Sequence, residues 1–265
     1  MGALTNVIRI ILLILSLASF IPQYRHILSR GNCAGIVPNY VLFNLIAATE
    51  QFALGLYFII DNTEVEDSIV RSPPTLGDWL NLAQFTVVWL CHLVLFGLYL
   101  YHPPSRPSAK RTIIAIYIAF LLISLAPVIF ESTLPPPGTD PNHDRRWVSA
   151  IFFYTHSILV NPIVTAIAVA ALFPQARETW SRSDPGALSV HALAAQAVVF
   201  AVVAFCWPLR MTLPLGVGFI TWYQLIGWAA VDNFVFAIVQ SVLWWISRRA
   251  RLSGSIEGEE TTPLI

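Results

Sequence analysis

Charge is what this sequence has least of. Of its 265 residues only 11% are charged, against about 25% in an ordinary soluble domain. With 56% hydrophobic residues and a mean hydropathy of +0.67, the chain could not cover a water-facing surface with so few ions. That excludes a soluble enzyme and argues for an integral membrane protein. An excess of either sign is missing too. Fifteen basic and fifteen acidic residues cancel, so there is no basic footprint and no expected nucleic-acid partner. Cysteine is scarce and scattered (Cys33, Cys91, Cys206), which excludes a disulfide scaffold and a thiolate metal cluster. No cofactor and no metal are expected. No Asn-x-Ser/Thr acceptor occurs either.

Long apolar runs are what the sequence does have. A bilayer core of about 30 Å needs about 20 apolar residues per helix. Seven runs qualify: Leu4–Ile21, Ile36–Ile60, Trp79–Tyr101, Thr112–Phe130, Val148–Phe173, Ala187–Trp207 and Leu215–Ile246. They total 164 residues and contain three charges, Arg9, Glu50 and Asp232, while the other 27 of the 30 fall in the remaining 101 residues. This segregation predicts an all-α protein of seven transmembrane helices embedded in a lipid bilayer. The alternating strands of a membrane barrel would look different. The first run is too long for the core of a signal peptide and lacks an Ala-x-Ala cleavage site. It reads as an anchor, with Arg9 near enough to its end to snorkel.

Basic residues set the expected orientation. Arg25, Arg30, Arg106, Lys110, Arg111, Arg177, Arg182, Arg248, Arg249 and Arg251 fall on one side. Arg9, Arg71, Arg145, Arg146 and Arg210 fall on the other. The richer side is expected to be cytosolic, which places the N-terminus in a lumen and the C-terminus in the cytosol. Asp61, Glu64, Glu66 and Asp67 then form an acidic lumenal loop, whose plain reading is a solvated loop. Trp79, Trp147, Trp207, Trp222, Trp244 and Trp245 lie near helix ends, where interfacial aromatics are expected.

The chain also repeats itself. Phe20-Ile21-Pro22-Gln23-Tyr24-Arg25 closes the first run, and Leu172-Phe173-Pro174-Gln175-Ala176-Arg177 closes the fifth, with the prolines 152 positions apart. Ser29-Arg30 and Gly35 follow the first motif, Ser181-Arg182 and Gly186 the second. Three helices reverse the direction of a chain, so two like-oriented triplets need one extra span between them. The expected architecture is therefore 3+1+3: two parallel three-helix repeats, 4–101 and 148–246, joined by a linker helix at 112–130, with a cytosolic tail at 247–265.

Here the sequence resembles a known family. The two Pro-Gln motifs look like the paired motifs of PQ-loop repeat proteins, the superfamily of the cystinosin-like exporters and the SWEET sugar transporters. The resemblance covers nearly the whole chain and says little about substrate. It implies a membrane transporter, not an enzyme, for a small polar solute such as an amino acid.

The motifs suggest chemistry of their own. A proline near a helix end frees a carbonyl, and an adjacent glutamine can both donate to and accept from loose backbone. Pro22-Gln23 and Pro174-Gln175 are thus candidate hinges, satisfied locally. The alternative is a plain helix stop. Intramembrane carboxyls cost about 2.5–3.5 kcal/mol on insertion scales, so Asp232 and Glu50 are candidates for proton coupling. For each the alternative is a structural bond between helices. The resemblance supports Asp232, since cystinosin-like proteins carry an aspartate in a similar Asp-x-x-x-Phe setting. It places Asn44 on the substrate cavity. At Gln196 the sequence departs from the family's titratable aspartate, so coupling rests on Asp232 or Glu50 or is lost. Asn44, Gln196 and Asp232 are the expected substrate-binding set. His92, His156 and His191 read as hydrogen-bonding core residues, and Asn161-Pro162 as a kink or a binding break. Glu260 with Leu264-Ile265 resembles an acidic dileucine sorting signal. It would engage a sorting adaptor and direct the protein to a vacuolar or lysosomal membrane, though such motifs also arise by chance.

Three functions follow in order. The first is alternating-access transport of a small molecule, coupled to protons and directed out of an acidic organelle. The second is a membrane-embedded, cyclase-like enzyme using Glu50 and Asp232 as acids. The third is a sorting receptor of the KDEL-receptor type, which would need a basic lumenal pocket on a side that reads as acidic.

Overall fold

The computed structural model describes residues 2–61, 70, 73–102, 110–133, 145–182, 186–210 and 218–260. Glu64, Glu66, Asp67, Arg71, Arg106, Leu264 and Ile265 lie outside the described residues, and of Glu260 only the backbone is described.

Among the described residues the chain is helical throughout. Its elements are α1 (Gly2–Arg30), α2 (Pro38–Ile60), α3 (Leu76–Tyr101), α4 (Lys110–Thr133), α5 (Arg145–Tyr154), a π-turn (Thr155–Val160), α6 (Asn161–Ala170), α7 (Leu172–Trp180), α8 (Val190–Cys206), α9 (Phe219–Trp222), a second π-turn (Tyr223–Gly227) and α10 (Trp228–Glu260). Local chemistry sets several starts. Pro38 opens α2, where its missing N–H costs nothing. Thr75 and Asp78 form a reciprocal capping box on α3. The Ser189 hydroxyl accepts from the Ala192 N–H to cap α8.

Six helical stretches are long and apolar enough to cross a bilayer, and Val190–Cys206 is a shorter apolar helix. Their outer faces are apolar as lipid requires: α1 exposes Leu4, Ile8, Ile11 and Leu15. Helix α4 buries only Ile113, Tyr117, Ser124, Val128 and Glu131, one stripe at helical spacing. The chain is a multi-pass helical membrane protein. Helix α1 packs against α3 and α8, α2 against α3, α4 and α6, and α10 against α6, α7 and α8.

Four details differ from the sequence expectation. Helix α1 does not stop at the Pro-Gln motif but continues through Pro22 to Arg30. The fifth apolar run is broken before Asn161-Pro162 by a π-turn rather than by a simple proline kink. Trp207 is no interfacial residue: it is buried against Phe85, with ring centroids 4.7 Å apart. Arg9 does not snorkel. It is buried, donating from Nη2 to the Arg210 carbonyl at 3.0 Å, and Gly77 leaves room for its guanidinium where a Cβ would collide with it.

Candidate functional site

Proline inside a helix removes one ladder bond and normally costs about 3 kcal/mol. Here the motif brings something else. Because the helix runs on through Pro22, Gln23 stands on a continuous helical face and reaches another part of the chain. Its Nε2 donates to the Ala187 carbonyl at 2.8 Å, and its Oε1 accepts from the Ser189 N–H at 2.8 Å. Gln175 mirrors it, donating to the Gly35 carbonyl at 2.7 Å and accepting from the Val37 N–H at 2.9 Å. The expectation that each glutamine would serve its own local backbone is corrected. Each instead holds the two orphaned backbone groups at the approach to the helix of the other half, α8 for Gln23 and α2 for Gln175.

Between the clasps the two approaches touch. The Ala187 N–H donates to the Ala34 carbonyl at 2.6 Å. Gly186 has a positive φ of 67°, and any Cβ there would collide with that same carbonyl, so only glycine serves.

Above this crossing lies a polar centre. Asn44, His92 and Phe236 line two adjoining cavities of about 10 and 20 Å³, each admitting about one water. Gln196, Gln23 and Tyr40 complete one, while Gln51, Asp232 and Asn233 complete the other. Thus Asn44 connects Gln196 to Asp232. The bundle is closed around them. Asn44 Nδ2 donates to the Tyr40 carbonyl at 2.8 Å. The Thr165 hydroxyl donates to Asp232 Oδ1, while Oδ2 has no partner among the described residues. Thr165 also pairs with the Tyr223 hydroxyl at 2.8 Å.

Glu50 stands apart from this set. It is wholly buried, 2.7 Å from His156 Nδ1, and accepts from the Ser124 hydroxyl at 3.1 Å. His156 lies in the π-turn, whose widened backbone carries it to α2. Asn161, in the same stretch, is fully buried with neither amide atom partnered among the described residues. Sequence reading missed the pairing of His156, the Thr165 bond and the Tyr40–Gln240 bond of 2.9 Å. One signal was available: Tyr40, Asn44, Ala48 and Gln51 fall at spacings of four, four and three along α2, a single face.

These features define a polytopic helical membrane protein with a closed polar centre above a crossing held by two glutamine clasps. Residues 4–66 match the family model of the PQ loop repeat. The match covers α1, α2 and the first Pro-Gln motif, and it supports assigning the chain to the PQ-loop repeat family. No curated protein and no solved structure matches the chain.

Proposed function

We propose that the chain transports a small polar solute of the amino-acid type by alternating access. The observation that carries the reading is the reciprocal clasp: Gln23 and Gln175 each bind the other half of the chain beside an intrahelical proline. Two parallel three-helix repeats, 4–101 and 148–246, with α4 as the linker, account for the constant offset of 152 positions between the motifs. Pro22 and Pro174 are the hinges, and releasing both glutamines lets the halves part at that end.

Asn44, Gln196 and Asp232 are the solute site. The buried Asp232 carboxyl, with Thr165 on Oδ1 and the Gln51 side chain beside it, is the group that takes a proton or a solute ammonium. Glu50, held by His156 and Ser124, is a second proton-coupling group. That occupancy also weighs against an enzyme in which Glu50 serves as an open acid. The basic-residue count supports a lumenal N-terminus and a cytosolic C-terminus. Glu260 with Leu264-Ile265 supports delivery to a vacuolar or lysosomal membrane by a sorting adaptor.

The test is flux into reconstituted liposomes across a panel of amino acids and sugars, with and without a pH gradient. Amino-acid flux that follows the gradient is expected. Absence of flux for every solute on the panel overturns the reading.

A further inference from the structure

At the end of the bundle away from the glutamine clasps, several buried donors have no acceptor among the described residues. Arg9 lies thirteen residues before Pro22 on α1, about 20 Å along the helix. Its side chain is 8% exposed, and its Nε finds no acceptor among the described residues. Arg210, just beyond α8, donates through Nη1 to Gln84 Oε1 at 2.6 Å and to Asn81 Oδ1 at 3.3 Å. Its Nε and Nη2 are buried without a partner among the described residues. The indole N–H groups of Trp207 and Trp228 are likewise buried and unpartnered among the described residues. Both indoles line a cavity of about 30 Å³ whose wall also includes Asp78, Asn81 and Phe85. Arg210 flanks that cavity, bonded to Asn81 and stacked over the Trp207 ring at 4.9 Å.

Among the described residues the charged groups facing this place are Arg9, Arg210 and Asp78, with the Cys206 thiol near Arg210. One Asp78 oxygen already accepts from the Thr75 N–H at 2.8 Å and hydroxyl at 2.7 Å. Counted over the described residues, two cations and one carboxylate leave one positive charge. Buried Arg9 and part-buried Arg210, like charges with open N–H groups, are costly side by side unless an anion sits between them. Indoles are donors only, so they too ask for an acceptor. A guanidinium fork fits a planar carboxylate, and the packed rings of Phe85, Trp207 and Trp228 offer an apolar wall.

We infer that Arg9 and Arg210, with the indole N–H groups of Trp207 and Trp228, form a binding site for a small organic monocarboxylate. Burial and then the charge of Arg9 hold Arg210 below the usual arginine range, at about 10, so it remains a cation at neutral pH. The site stands on its own donors, whether or not the chain carries solutes. If it does, the site marks where a solute's carboxylate is first held.

The test uses the full chain purified in neutral detergent, titrated with sodium propionate at constant ionic strength and followed by tryptophan fluorescence and thermal shift. Sodium chloride and inorganic phosphate are the comparison anions. A saturable response to propionate is expected, weakened about tenfold or more in Arg210→Gln. Gly77→Ala keeps every charge and pushes aside only the flexible end of Arg9, so it preserves the fold and is also expected to weaken propionate binding. No saturable response overturns the site, as does an equal or greater response to chloride or phosphate, or one unchanged in both folded variants. Binding is read without transport, so a positive titration beside a flux panel that fails would reject the transport reading alone.

Discussion

Gln23 and Gln175 stand 152 positions apart, and so do the groups they hold: Gly35 against Ala187, and Val37 against Ser189. A single such bond could be an accident of packing. Four bonds related by one offset describe a pseudo-symmetric crossing in which each half completes the other's helix start.

Removing either glutamine leaves a buried carbonyl and a buried N–H unsatisfied, at about 1–3 kcal/mol each. Gln23→Leu and Gln175→Leu are each expected to destabilise the fold by roughly 2–4 kcal/mol. Because the clasps share one crossing, the double variant should cost less than the two single effects added. Thermal unfolding in detergent checks this; fully additive losses would mean the two clasps act independently.

The proline pair is separable from the glutamine pair. Pro22→Ala and Pro174→Ala restore backbone donors inside helices and leave both clasps in place. Combined, they are expected to preserve the melting temperature or raise it while slowing transport about tenfold or more, as stiffened hinges require. Unchanged transport rates would remove the hinge role.

How much of this was legible beforehand depends on separation along the chain. The spans were readable because charge segregates locally, and the α2 face because Tyr40, Asn44, Ala48 and Gln51 follow helical spacing. The Pro-Gln duplication was visible, but the reach of each glutamine was not. A glutamine's partner 164 positions away is fixed only by how the halves cross. Arg9 and Arg210 read as separate edge residues for the same reason, being 201 positions apart. The π-turn was hidden because Asn161-Pro162 carries the same signal as an ordinary kink.

Cys33 reports on the crossing. It is fully buried two residues before Gly35, and burial pushes its thiol up to about 11, partly opposed by the charge of Lys110. Maleimide labelling at pH 7.5 is expected to be slow and to rise about tenfold per pH unit toward that value. Gln175→Leu, which frees the Gly35–Val37 segment, should speed labelling at fixed pH. With Cys91 and Cys206 replaced by serine so that only Cys33 can react, fast labelling at pH 7.5 would contradict a closed crossing.

Asp232→Asn keeps an acceptor for the Thr165 hydroxyl and removes the titratable proton. Flux down a solute gradient is expected to survive while acceleration by an imposed pH gradient disappears. If the gradient still drives flux in this variant, the proton travels elsewhere.

Glu50 is a candidate for that elsewhere, and it can be tested by stability rather than by rate. Glu50 and His156 are bonded across the halves with no solvent to screen them. Glu50→Ala strands the His156 ring and leaves the Ser124 hydroxyl without its acceptor, a loss of about 1–3 kcal/mol for each buried group left unsatisfied. Adding His156→Ala removes the stranded group, so the double variant should regain part of that loss. Glu50→Gln keeps hydrogen-bonding capacity without charge and should destabilise less than Glu50→Ala. If it also abolishes the response to a pH gradient that Asp232→Asn leaves intact, the coupling proton resides on the Glu50–His156 pair. If Glu50→Gln behaves as the unaltered chain in both assays, the pair only fastens the π-turn to α2.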